Sequence, residues 1–224
     1  MKTTVVSFYT DNAPSTYYSE NYYRLKSECE NYNIPYDFRK LKSYEDYRLN
    51  CLRKPSFILR VLEEKKEPIV WLDIDSVVHS SLAIFDKLVP VVDIAFAYPA
   101  VSKEDLGGHM PKASPIFCNY NETVIEFLKL WVDKCTESVK ASEKLFDHEI
   151  LIFRVLPILI AQKKIKIAAL PVAYCVWPGK PIEGIDPIIT MGIANGLDKE
   201  KNLREFASQV GMDERGIQLN LNKL

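Results

Sequence analysis

The sequence predicts an α/β fold, one domain whose mixed, mostly parallel sheet is flanked by helices. Short apolar runs rich in β-branched and aromatic residues alternate with helical periodicities through the first half of the chain. That order builds parallel strands covered by helices. At 224 residues and 47% hydrophobic composition, the chain can bury one large core. Only 8 glycines and no repeat or low-complexity tract argue against a long flexible region.

The elements follow in order. "TVVSFY" (Thr4 to Tyr9) is a strand that breaks at the turn-rich "TDNAPST". A tyrosine-rich helix is expected from Tyr17 to about Tyr32, then a strand around Pro35 to Leu41. A second helix starts near Pro55, with proline in its favoured first turn. "PIVWLDIDSVVH" supplies the third strand and completes β-α-β-α-β. "VVDIAFAY" and "SPIFCNY" read as further strands, separated by the polar loop "PAVSKEDLGGHMPKA". "NETVIEFLKLWVDKC" is an amphipathic helix with Val124, Phe127, Leu128, Trp131 and Cys135 facing the core. "FDHEILIFRVLPILIAQ" is apolar nearly all round and reads as a buried helix bent at Pro157. A loop after Tyr174, a strand "DPIITMGIA" and a charged helix from about Asp198 close the chain.

Composition excludes several classes of function. A formal charge of -1 gives no basic track for nucleic acid or acidic membranes. Five scattered cysteines without a CxxC pair read as reduced, buried thiols rather than a disulfide framework or a zinc site. The opening apolar run is too short for a secretory signal, and the tract Ile150 to Ala161 is too short to span a bilayer. A soluble, cytoplasmic protein is the expectation. In that compartment "NET" at Asn121 reads as a helix start rather than a glycosylation acceptor.

The chemistry concentrates in "WLDIDSVVH". On an extended strand Asp73 and Asp75 point to one side and Ile74 to the other. Two such charges roughly 6 Å apart repel by about 3 kcal/mol at an effective dielectric near 20. A bridging cation relieves this, and carboxylates without thiol or imidazole neighbours suit Mg²⁺ or Mn²⁺. The pair falls at the carboxyl end of a strand, where open α/β sheets bind ligands. The competing reading is two strand-end aspartates capping a turn.

These motifs resemble a family. "KPSFILRVLEE" followed by "EPIVWLDIDSVVHSSLAIFD" is similar to the D-x-D region of GT-A-type glycosyltransferases, the nucleotide-diphosphosugar transferases. "SPIFCNYNETVIEFLKLW" and "FDHEILIFRVL" follow in the family's order. The resemblance runs from Thr4 to Ile193 and is specific from Lys54 to Leu156. In compact size the chain resembles small glycosyltransferase domains of large algal viruses, which implies a host cytoplasm. The family implies a nucleotide-binding half over 1–100, and an acceptor half with the C-terminal helix over 101–224.

It further implies that Asp75 ligates the Mn²⁺ or Mg²⁺ on the donor diphosphate. Asp73 joins the metal through water or faces the donor ribose or sugar. Tyr9, Thr10 and Asp11 would hold the nucleoside, with Tyr9 stacking on the base. A UDP-sugar donor, a glycan or glycoprotein acceptor and retention of configuration are the implied partners and outcome. The family often adds a histidine ligand near the last strand; Met191 stands there, and the histidines are His79, His109 and His148.

Further candidates surround this pair. Arg53 and Lys54 sit at a helix start, where cations oppose the helix dipole unless an anion is bound. A diphosphate would serve, and the family's "KP" pattern agrees for Lys54; two solvated charges are the alternative. Asp147 reads as a helix N-cap, and the resemblance places it beside the reacting sugar as a possible general base. His148 neighbours it, and His109 lies in a loop able to close on the site. Arg154, in so apolar a helix, needs a carboxylate partner, with Asp73 one candidate and a structural ion pair the other. His79 is read as packing or bonding locally after the strand. Trp177, Lys180 and Glu183 could cap the donor, and Tyr17, Tyr18, Tyr22 and Tyr23 read as a helix packing face with an exposed edge.

Two other functions compete. "DIDSV" also satisfies the nucleophile motif of haloacid-dehalogenase-type phosphatases, with Asp73 as nucleophile and Asp75 as acid-base. That chemistry needs a late acidic cluster, and no Asp-Asp pair occurs in the chain. A non-catalytic sugar-nucleotide-binding protein is the other.

Overall fold

The computed structural model describes residues 2–11, 15–98, 111–177 and 182–192. A six-stranded sheet has the order β2-β1-β3-β6-β5-β7. Strand β1 (Thr4–Tyr9) lies between β2 (Tyr36–Lys40) and β3 (Ile69–Trp71), parallel to both. Strand β6 (Lys112–Cys118) runs antiparallel to β3 and to β5 (Ile94–Ala97), and β7 (Ile167–Leu170) is parallel to β5. The sheet is mixed and mostly parallel, as expected. It also runs through both halves of the sequence, since β6 docks directly on β3.

Alternation along the strands splits the core into two layers. Val6, Trp71, Phe96 and Ile116 face one side, packed with Phe57, Phe127, Trp131 and Leu151. Val5, Val70, Ala95 and Phe117 face the other, under Leu25, Cys29, Leu82 and Phe85. Helix α1 (Tyr17–Asn31) covers the second layer, while α3 (Lys54–Lys65) and α5 (Glu122–Lys140) cover the first. Asn121 caps α5, its side chain accepting the Val124 N–H at 2.9 Å, so "NET" is a helix start.

Several elements were not expected. Helix α2 (Tyr47–Leu52) precedes α3, and α4 (Ile84–Leu88) follows the acidic motif. Strand β4 (Val77–Val78) pairs antiparallel with β8 (Ile189–Thr190) in a separate two-stranded sheet. The expected buried helix is helix α6 (Asp147–Ile150), a π-helical turn (Leu151–Val155) and helix α7 (Leu156–Gln162). The irregularity sits just ahead of Pro157, which has no N–H to give the preceding turn. Burial on all sides is corrected: Phe153 is 57% and Ile160 63% exposed. Arg154 pairs with Glu143 at 2.7 Å, not with Asp73, which keeps it at the surface. The polar loop's 99–110 stretch and the C-terminal helix lie outside the described residues. Among the described residues, no helix is long and apolar enough to cross a membrane.

Candidate active site

The carboxyl ends of β1 and β3 share one edge of the sheet because the two strands are parallel. The antiparallel β6 brings its first residues to that same edge. Asp73 and Asp75 do not lie on a strand, contrary to expectation. Strand β3 stops at Trp71, and Asp73 to Ser76 form a turn closed by the Ser76 N–H on Asp73 O at 2.9 Å. Ile74 still enters the core, but the turn rather than the pleat brings the two carboxylates together. They differ in setting: Asp75 is buried, and the Asp73 side chain is 39% exposed.

Lys54, the first residue of α3, is the centre of the site. Its buried ammonium lies 3.0 Å from Asp73 Oδ1 and 2.9 Å from Asp147 Oδ2, and donates to Ala113 O at 3.1 Å. The Trp71 ring lies 5.6 Å below it. Burial alone would lower the lysine's pKa, but the charges of Asp147 and Asp73 outweigh it and raise it. One of the ammonium's three donors goes to the Ala113 carbonyl, and the two carboxylates stand at ion-pair distance. The anion that this helix start needs is therefore supplied within the chain, by two aspartates.

Asp73 is fixed on three sides. Its Oδ1 accepts from Trp71 Nε1 at 2.9 Å as well as from Lys54, and its N–H donates to Ser114 Oγ at 2.8 Å. Its pKa lies above the usual carboxylate range: enclosure raises it, Lys54 opposes, and Asp75 and Asp147 add to the rise. Asp147 is the first residue of α6, whose N-cap position belongs to Phe146. The capping role is thus corrected; the carboxylate turns to Lys54 instead.

Asp75 lies against the backbone after β8. A Cβ on Gly192 would stand 2.1 Å from the Asp75 carboxyl carbon and 2.3 Å from both its oxygens, so only glycine leaves room. Tyr17 and Tyr18 come close enough that, after burial, the Asp75 charge is the next cause raising their phenol pKa values. Met191, in the position expected for a histidine, accepts the Cys175 thiol at 2.9 Å. Among the described residues, no three His, Cys, Asp or Glu side chains gather around a metal position. A buried carboxylate and a half-exposed one fit an ion that takes its remaining ligands from phosphates and water.

The other candidates fall around this centre. Tyr9 stacks on Tyr22 at 4.9 Å under Lys40, and Thr10 is buried. Asp11 accepts the Ser19 N–H at 3.0 Å and pairs with Lys40 at 3.2 Å, tying the end of β1 to α1. Arg53 turns away from the Lys54 cluster, donating to Lys42 O at 2.6 Å with its guanidinium 4.4 Å over Tyr44. His148 is half-buried beside Phe146, and burial lowers its pKa against the pull of Asp147. His79 is bound across the small sheet to Thr190 Oγ1 at 2.7 Å, not by a neighbour in sequence. Lys112 stands 5.5 Å over Trp177, Glu183 is exposed, and Tyr23 is the exposed edge of its tyrosine cluster. His109 and Lys180 lie outside the described residues. Sequence reasoning missed Ser114, Arg24 and Gly192, which hold the turn by backbone contacts that no side-chain pattern announces.

The cysteines are free, and burial pushes Cys29, Cys118, Cys135 and Cys175 up to about 12. They are unreactive packing thiols.

No family model and no curated protein matches the sequence. A solved structure is similar in fold: a glycosyltransferase involved in the glycosylation of the major capsid of PBCV-1. It aligns with a TM-score of 0.65 over 93% of this chain and 98% of its own, at 13% identity. The chain shares its fold with that glycosyltransferase. A197 from STIV aligns over 76% of this chain and 82% of its own at 13% identity, but its TM-score of 0.38 carries no argument. Identity this low speaks for architecture alone; the chemistry must be argued from the turn between β3 and β4.

Proposed function

We propose that this protein is a metal-dependent glycosyltransferase of GT-A type, moving a sugar from a nucleotide-diphosphate donor to a hydroxyl. One observation carries the reading. Lys54 joins Asp73 of the D-x-D turn to Asp147 at a helix start, beside Asp75, at the carboxyl edge of a glycosyltransferase-like sheet. Asp75 and Asp73 would hold Mn²⁺ or Mg²⁺, which when bound would supply positive charge against the leaving diphosphate.

The chain's own residues do the rest. Lys54 keeps Asp147 and Asp73 in fixed orientations inside a partly desolvated site. Asp147 presents a carboxylate to the sugar or to the incoming hydroxyl, and His148 borders it. Tyr9, at the end of β1, bounds the nucleoside position. UDP is the favoured nucleotide and retention the favoured outcome, both from the family resemblance. The acceptor is a glycan or glycoprotein; the neighbour's association with a viral capsid protein supports the latter. The phosphatase reading finds no second acidic cluster among the described residues.

The test is turnover. The protein is incubated with a panel of UDP-hexoses and Mn²⁺, with UDP release measured and the product anomer read by NMR. Mn²⁺-dependent UDP release with retained anomer supports the proposal. Phosphate release from an aryl phosphate, with no UDP release from any donor, contradicts it.

A further inference from the structure

The turn that carries Asp75 is held from outside the sheet by a device that the proposed chemistry does not itself require. Arg24, midway along α1, donates through one nitrogen, Nη2, to Asp75 O at 2.9 Å and to Ser76 O at 2.8 Å. Its Nε stands 3.3 Å from Glu28 Oε1, one helical turn on. The other oxygen of Glu28 accepts the Val78 N–H at 2.8 Å. One i,i+4 pair thus grips three backbone groups over four consecutive residues, two carbonyls and one amide. Both side chains are largely enclosed, at 22% and 15% exposure. A surface pair of this spacing contributes little; hydrogen bonds from a charged group to enclosed carbonyls are about twice as strong as neutral ones.

The placement matters because the Asp75 carboxylate has no slack. Gly192 lies where any Cβ would overlap it, so a small shift of the 75–76 backbone drives the carboxylate into or away from β8's end. Beyond β4, His79 N–H donates to Ile188 O at 2.9 Å, continuing the link to β8. Turn, α1 and β8 therefore form one mechanical unit, with the Arg24 guanidinium on two of the turn's carbonyls.

Building on the metal site of the proposed function, we infer that Arg24, with Glu28 as its brace, is a positioning residue that sets Asp75 for cation and diphosphate binding. Arg24 touches neither metal nor donor; it acts through the backbone of Asp75 and Ser76.

The test compares Mn²⁺ affinity, measured by isothermal titration in the presence of UDP, for the wild type, Arg24→Ala, Arg24→Lys and the helix control Lys26→Ala. Lys26 lies on the same helix and pairs with Glu30 at the surface. The expected result is a loss of about tenfold or more in Arg24→Ala, corresponding to two charge-assisted hydrogen bonds. A smaller loss is expected in Arg24→Lys, whose one nitrogen would have to serve both carbonyls and Glu28 at once, and none in Lys26→Ala. If Arg24→Ala does not fold, Arg24→Lys is decisive on its own. Wild-type Mn²⁺ affinity in a folded Arg24 variant overturns the inference while leaving the metal site intact. No Mn²⁺ binding by the wild type overturns the metal site itself, and this inference with it.

Discussion

Replacing Lys54 by methionine keeps most of the side chain's length and removes its charge. At 2.9 and 3.0 Å, each attraction is roughly 5–6 kcal/mol at an effective dielectric near 20, before desolvation is counted. The Asp73 share is screened, because its side chain is 39% exposed. The Asp147 share is not, at 5% exposure. Breaking a buried pair from one side leaves the other charge stranded, and costs about 3–5 kcal/mol. For a domain of this size that lowers Tm by roughly 6–20 °C. The assay is thermal melting of Lys54→Met across pH 5 to 8, with Lys54→Met/Asp147→Asn as partner. The single variant should recover part of its loss at low pH, where the stranded carboxylates take up protons. The double variant should recover part of it at every pH. A single variant within about 1 kcal/mol of wild type, or a loss independent of pH, refutes the assignment of Lys54 as the site's buried counter-charge.

Two further outcomes follow from neighbouring groups. Gly192→Ala places a methyl in the space of the Asp75 carboxylate, so Mn²⁺-dependent UDP binding should fall about tenfold or more for a shift of this kind, read by titration; wild-type affinity would show that the carboxylate does not work from this position. Glu28 is pushed up to about 7 by burial, against the Arg24 charge and the Val78 N–H. Its folded pKa exceeds its unfolded value, so its contribution is full below about pH 4.5 and is lost as pH rises through 7. Glu28→Gln should therefore remove a stability slope of up to about 3 kcal/mol between those limits, seen in urea melts at a series of pH values; an unchanged slope contradicts it.

Much of the fold is legible in the sequence where periodicity is long. Strand β1 matches "TVVSFY", and α5 follows from its apolar spacing and the Asn121 cap. The missed elements are short. Strand β7 is "IAAL", half-exposed and without alternation, and β4 is two valines whose partner lies far along the chain. Helix α2 did carry a readable signal, since Asp46 accepts the Leu49 N–H as a cap. At the site, a lysine at a helix start correctly announced a missing anion. Sequence could not say that two aspartates would supply it, because that answer depends on the turn after β3 and the start of α6 folding back onto the start of α3. The acidic pair is brought together by a turn and not by strand parity, which holds only on a strand, and β3 ends before Asp73.

The central claim is that the turn after β3 is a donor-diphosphate site. Thermal shift with UDP, GDP and CMP, each with Mn²⁺ or with chelator, in wild type and Asp75→Ala, tests it most directly. A nucleotide at 100 times its Kd adds about 2.7 kcal/mol, a rise of roughly 5–10 °C for a domain of this size. The account predicts that rise for UDP with Mn²⁺, its decline with chelator and its loss in Asp75→Ala. No rise with any nucleotide, or a UDP rise that Asp75→Ala leaves undiminished, would contradict it.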